Sequence, residues 1–178
     1  MKKFDKSKGT LFWITGLSGS GKTTIGKNIH KVITKIYGPT IMISGDDIRK
    51  IFDLKGYEYN ERLKIAGKYN KFAKYITEQK INIILAIVGM FEEVRKLNRL
   101  NINNYVEIYI KSSIKSIIKK DKKKIYKKRN PGKLIGINIK PEYPKKADIT
   151  ITNDFKKSTT KLSKILLKKI NNLSNAKK

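Results

Sequence analysis

The apolar positions of this chain change their spacing repeatedly, and each change marks an element. Leu11, Phe12, Trp13 and Ile14 form an unbroken run, the pattern of a strand covered on both faces, and predict a strand over 10–15. Ile25, Ile29, Val32, Ile33 and Ile36 then recur at helical spacing, which predicts a helix over about 23–36 with that stripe against a sheet. Gly38 and Pro39 end it. A second strand over 40–44 leads into a short helix reaching about 52. Leu63, Ala66, Phe72, Ala73 and Ile76 mark the buried face of a longer helix over about 60–79. Residues 81–88 are almost wholly apolar and read as a central strand. A helix over 91–100, a strand over 105–110 and a short helix over 113–120 follow. Residues 121–143 are rich in lysine, glycine and proline without periodicity, the pattern of a lid. A last strand over 147–152 and an amphipathic helix over 158–173, with Leu162, Ile165, Leu166 and Ile170 on one side, complete the alternation.

Strands alternating with helices predict an α/β domain: a five-stranded parallel sheet with helices on both faces, spanning 10–173 behind a loose polar tail at 1–9. Ligands of such sheets bind outside the carboxyl ends of the strands. The chain has 178 residues and no cysteine, so disulfides and thiolate metal sites are excluded and a cytoplasmic protein is expected. The longest apolar run, 81–88, is too short to span a bilayer, so no membrane partner is expected. The formal charge of +28 comes almost entirely from scattered lysines alongside abundant isoleucine and asparagine, the signature of compositional bias more than of a nucleic-acid surface. No basic strand carries interleaved aromatic residues, which also argues against a single-strand platform. His30, in the middle of the first helix, reads as a surface residue.

The strongest chemical signal follows the first strand. Gly16-Leu17-Ser18-Gly19-Ser20-Gly21-Lys22-Thr23-Thr24 matches the P-loop pattern between a strand and a helix. Glycines at 16, 19 and 21 let successive amides turn toward a phosphate, and a helix starting near Lys22 adds its positive end. Lys22 then reaches the β- and γ-phosphates of ATP, and the Thr23 hydroxyl takes a position on Mg²⁺. This makes the fold that of the P-loop nucleoside-triphosphate hydrolases and kinases, with Gly16, Ser18, Gly19, Ser20, Gly21, Lys22, Thr23 and Thr24 as the ATP site. Two further stretches fall at strand carboxyl ends: Asp46, Asp47 and Arg49 after the second strand, and Gly89, Met90 and Phe91 after the third. An acid beside a P-loop can organise the metal's water shell or take a proton from an attacking hydroxyl, a role expected for Asp46 unless it caps the following helix instead. Arg49 lies one turn beyond, and Arg62, with Tyr57 as a stacking face, can close on a second phosphate-containing ligand.

Together with Ile125-Tyr126-Lys127-Lys128, Gly136-Ile137 and Ala147-Asp148-Ile149, these stretches resemble the adenylylsulfate kinases over about 11–153. The resemblance implies a kinase that uses MgATP to phosphorylate the 3′-hydroxyl of adenylylsulfate. It makes Asp46 the catalytic aspartate, with Lys22, and Arg49 and Arg62 the acceptor-phosphate arginines. It also makes Tyr57 a base-stacking residue, puts Lys127 and Lys128 in the lid, and adds Gly89, Met90, Phe91 and Ile137 to the acceptor site. A homodimer is a further expectation, since members of the family are commonly dimeric. Ser44-Gly45-Asp46 stands where the family has Asp-Gly-Asp, Ile65 where it has an asparagine, Gly89-Met90-Phe91 where it has Ser-Pro-Tyr, and Asn138 where it has an aspartate. The stretch from Gly132 to Gly136 is about three residues short and lacks the phenylalanine of the family's base clamp. Most of these departures fall on the acceptor side. Adenylylsulfate is therefore the expected acceptor with cytidine diphosphoramidate as the alternative, because a branch carrying Met-Phe at 90–91 phosphorylates that cytidine nucleotide.

Overall fold

A computed structural model describes residues 4–120, 126 and 134–175. Among them the chain alternates β1 (Leu11–Thr15), α1 (Lys22–Tyr37), β2 (Thr40–Ser44), α2 (Gly45–Ile51), α3 (Tyr59–Glu78) and β3 (Asn82–Ala86). It continues with α4 (Glu92–Asn101), β4 (Tyr105–Lys111), α5 (Ile114–Lys119), β5 (Ile149–Thr152) and α6 (Thr159–Asn175). All strand pairings are parallel, in the order β2-β3-β1-β4-β5. The chain steps from β1 to one side for β2 and β3, then to the other for β4 and β5. The crevice where this direction reverses opens at the carboxyl end of β1, where ligands of doubly wound sheets sit.

The pleat of β1 divides the core. Leu11 and Trp13 face the layer made by α2, α3 and α4, while Phe12 and Ile14 face α1 and α6, and all four are buried. This two-sided burial explains why β1 is apolar up to Ile14 and β3 is apolar from Ile83 onward.

Several expectations change in detail. In α1 the packed line is Ile25, Ile29 and Ile33, whereas Val32 and Ile36 are 37% and 52% exposed. The helix has α6 beside it and meets the sheet along a narrow ridge, so the flank of the apolar stripe stays in solvent. In α3 the buried positions are Ile65, Ala66, Tyr69, Asn70, Ala73 and Thr77, and Leu63, Phe72 and Ile76 are only partly covered. Apolar spacing alone misplaced this face because part of it is polar: Asn70 donates to the Asn98 amide oxygen of α4 at 2.9 Å. Residues 4–9 are docked, which corrects the loose tail for that part. Asn104 accepts from the Asp5 amide and donates to the Asp5 and Lys8 carbonyls, and the Gly9 amide donates to Thr77. His30 places its Nε2 2.8 Å from the Thr40 carbonyl, joining α1 to the start of β2.

Candidate active site

The P-loop wraps the carboxyl end of β1. At Gly16 a β-carbon would sit 2.6 Å from the Ile110 carbonyl oxygen of β4, and at Gly21, where φ is 93°, it would approach the Asn153 side-chain nitrogen at 3.2 Å. Only glycine allows the loop to lie this close to β4 and to the segment after β5. Gly21 caps α1 without a side-chain hydrogen bond, and the Ile25 amide takes the Gly21 carbonyl. The earlier amides of this first turn have no intrahelical acceptor, and their residues Lys22, Thr23 and Thr24 line the cleft, a geometry suited to phosphate. Lys22 Nζ donates to the Leu17 carbonyl at 2.7 Å, so the ammonium is held at the rim of the loop. Burial of the Ser20 hydroxyl, which has no hydrogen-bond partner among the described residues, fixes that residue as part of the loop's shape and not of its exposed wall.

A cleft of about 1190 Å³ runs across the strand ends. That exceeds the roughly 300–1,000 Å³ of a site for one small ligand and leaves room for two. Its middle is lined by Ser18, Gly19, Gly21, Lys22, Thr23 and Thr24. One end is lined by Asp46, Arg49, Tyr57, Arg62, Tyr69, Gly89 and Phe91, and the other by Asn153, Phe155, Lys157, Ser158 and Thr159.

The competition between Asp46 and Asp47 is resolved by the start of α2. Ser44 is the N-cap; its hydroxyl accepts from the Asp47 amide, and the Asp47 carboxylate accepts from the Ser44 amide and hydroxyl at 3.0 and 2.7 Å. Asp47 is therefore the capping acid, and Asp46 lines the cleft that the P-loop also lines.

Arg49 and Arg62 are brought together around Tyr57. Their guanidinium carbons lie 4.6 and 5.3 Å from the centre of its ring. Arg49 donates to the Leu54 and Gly56 carbonyls, each at 3.0 Å, and Arg62 Nε donates to the Tyr57 carbonyl at 2.7 Å. The two arginines thus shape the 54–57 loop as well as the cleft wall. Burial, and then the neighbouring Arg49 charge, lower the pKa of Arg62. Two guanidiniums held this close favour an anion between or beside them.

Other expected positions fall elsewhere. Met90 is fully buried, accepts a 3.6 Å contact from the Thr15 hydroxyl on its sulfur, and does not line the cleft. Its side chain is part of the core beneath Gly89 and Phe91. Ile137 is 48% exposed in a tight turn closed by amides donating to the Leu134 carbonyl, and it too lies outside the cleft wall. Lys127 and Lys128 lie outside the described residues. Tyr126, in the same stretch, donates its hydroxyl to the Ser18 carbonyl of the P-loop at 2.9 Å.

Sequence reasoning missed the segment after β5. Asn153, 2% exposed, donates from Nδ2 to the Ser20 carbonyl at 2.9 Å and accepts the Phe155 amide on Oδ1 at 3.0 Å. It clips the P-loop to a turn in which Phe155 adopts a left-handed φ of 66°. The position directly after a strand carried a signal, but its adjacency to the P-loop depends on strand order. A second cluster, away from the cleft, was also unforeseen. Glu107 of β4, 2% exposed, meets Arg99 at 2.6 Å and Arg95 at 3.5 Å, and its amide donates to Asp148 at 2.7 Å. It holds α4 against the sheet below Phe91.

The sequence and fold match known proteins along most of the chain. The family model described as adenylylsulphate kinase matches residues 8–152. A cytidine diphosphoramidate kinase of Campylobacter jejuni is 32% identical over 93% of this chain and 98% of its own length. An adenylyl-sulfate kinase of Clostridium acetobutylicum is 32% identical over 84% of this chain and 78% of its own. The structure of the Mycobacterium tuberculosis APS kinase in complex with AMPPNP and APS superposes with a TM-score of 0.82, covering 92% of this chain and 98% of that one at 19% identity.

Proposed function

The chain belongs to the adenylylsulphate kinase family and is a phosphotransferase, and from that premise we propose that it transfers the γ-phosphate of ATP to the 3′-hydroxyl of a nucleotide-activated acceptor. The observation that carries this reading is the cleft itself, which Asp46, Arg49 and Arg62 line together with Lys22 and Thr23 of the P-loop.

In this reading the amides of the P-loop and of the first turn of α1 bind the donor phosphates, and Lys22 exchanges the Leu17 carbonyl for a phosphate oxygen. Mg²⁺ fits the donor set: Thr23 offers a hydroxyl and the nucleotide hard phosphate oxygens, and Asp46 would orient the ion's water shell without ligating it. The ion supplies neutralisation of the charge on the transferring group. Asp46 accepts the hydrogen bond, and finally the proton, of the attacking hydroxyl; oxygen bonds to the γ-phosphorus as ADP departs. Arg49 and Arg62 hold the acceptor's anionic end, so catalysis is chiefly positioning and electrostatics. The +28 charge raises the encounter rate with both polyanionic nucleotides at low salt.

For the acceptor we favour cytidine diphosphoramidate. The similarity to the Campylobacter jejuni enzyme extends over nearly the full length of both chains, and Ile65 and Phe91 make the acceptor wall more apolar than the family pattern. Adenylylsulfate is the second reading, supported by the family model and by the retained Arg49, Tyr57 and Arg62. A coupled ADP-release assay with MgATP tests both. Turnover of the cytidine nucleotide with a kcat/KM at least tenfold above that for adenylylsulfate supports the first reading, and the reverse ratio supports the second. Absence of turnover with either overturns the acceptor class.

A further inference from the structure

We propose that Tyr69 is an acceptor-binding residue whose hydroxyl donates a hydrogen bond to the anionic anhydride group of the acceptor, alongside Arg49 and Arg62. This rests on the acceptor reading above and adds to it a side chain that the sequence did not single out.

Tyr69 projects from the middle of α3, and its ring is 5% exposed and packed into the core layer beneath the cleft. Even so, the residue reaches the cleft wall, where its neighbours Ile65 and Ala66 are apolar. A phenol in such a wall has its body in the core and needs a polar partner for its oxygen. Tyr69 lines the same cleft as Asp46, Arg49, Tyr57 and Arg62, which puts it within the acceptor cluster. Among the described residues no hydrogen bond engages the hydroxyl, and it is not sealed in the core. Burial raises its pKa above the usual phenol value, so it keeps its proton at any working pH and serves as a donor.

The chemistry of the cluster identifies the partner. Arg49 makes two hydrogen bonds and Arg62 one to carbonyls of the 54–57 loop, and their proximity penalises any further positive charge. A neutral O–H adds a donor to an anion site without adding repulsion. The anionic anhydride of either acceptor, phosphate joined to phosphoramidate or to sulfate, offers more acceptor lone pairs than the remaining N–H groups of the two guanidiniums can fill.

The test is Tyr69→Phe, which keeps the ring in the core and removes one oxygen. Cytidine 5′-diphosphate and adenylylsulfate are each titrated calorimetrically into protein loaded with AMPPNP and Mg²⁺, and AMPPNP is titrated separately. The expected result is a loss of about tenfold or more in affinity for every anhydride probe that wild type binds, the scale of a hydrogen bond to a charged group. AMPPNP affinity and the thermal midpoint stay at wild-type values. Equal affinities in variant and wild type overturn the proposal while leaving the acceptor reading intact. If wild type binds both probes and only one is weakened, Tyr69 reads the base, which also overturns it. Wild type that binds AMPPNP but neither probe overturns the acceptor reading and this proposal together.

Discussion

Asn153→Ala removes the clip between the P-loop and the turn after β5, and its cost can be worked from two bonds. Nδ2 to the Ser20 carbonyl, at 2.9 Å, is buried; the Phe155 amide to Oδ1, at 3.0 Å, is partly buried. Leaving a buried polar group unpaired costs about 1–3 kcal/mol, with the lower end appropriate to the amide that water can reach. The sum is about 2–4 kcal/mol. The backbone carbonyl of Asn153, which accepts from Ser112 at 2.8 Å, is untouched by the substitution, so the end of β5 stays in place. For a chain of this length each kcal/mol moves the thermal midpoint by about 2–4 °C, so a fall of roughly 10 °C is expected. The same loss frees the Ser20 peptide at the centre of the phosphate loop, so AMPPNP affinity should drop several-fold beyond the stability effect. Urea unfolding gives the stability change and calorimetry the affinity. A variant within about 0.5 kcal/mol of wild type, with unaltered AMPPNP binding, would refute the view that Asn153 tethers the loop. Asn153→Asp sharpens the contrast: it keeps the acceptor for Phe155 but sets a carboxylate against the Ser20 carbonyl, and nucleotide binding should suffer more than stability.

Asp46→Ala should reduce turnover by about 10²–10⁴ with AMPPNP affinity unchanged, whereas Asp47→Ala should cost about 1 kcal/mol of stability through the lost capping box and leave turnover near wild type; activity measured beside denaturation separates the two, and swapped phenotypes would reverse the assignment of the adjacent acids. Glu107→Ala should destabilise by about 3–5 kcal/mol, because Arg95 and Arg99 lose their shared carboxylate and Arg95 is deeply buried; a loss under 1 kcal/mol in urea unfolding would show the cluster to be dispensable. Burial pushes the Tyr109 hydroxyl up to about 12, so the folded state keeps a proton that the unfolded state releases above its ordinary value near 10. Stability from this group is full below pH 10 and declines as pH rises toward 12, and Tyr109→Phe should flatten that part of the profile relative to wild type; identical profiles would contradict it.

Much of the molecule follows from local pattern. Runs of residues apolar on both faces, such as 11–14 and 83–86, can be satisfied only in a sheet covered on both sides, and a glycine-rich turn between the first of them and a helix has one common chemical use. The P-loop, the five strands and the position of Asp46 were therefore legible from spacing alone. The Asp46 and Asp47 roles were not, because either acid satisfies a helix start; the direction of the Ser44 hydroxyl and amide decides, and it depends on the turn that the three residues form together. The identity of the buried face of α3 was hidden for a related reason. Asn70 and Tyr69 are buried by neighbours far away in sequence, and a polar residue carries no periodic signal of its burial. Met90 and Ile137 looked like cleft residues by their place in a motif, yet the chain turns one into the core and the other to solvent. Strand order was the largest contribution of the tertiary structure. Only when β4 and β5 stack outward from β1 does Asn153 come to lie against Ser20, 133 positions away in the chain, and close the donor end of the cleft.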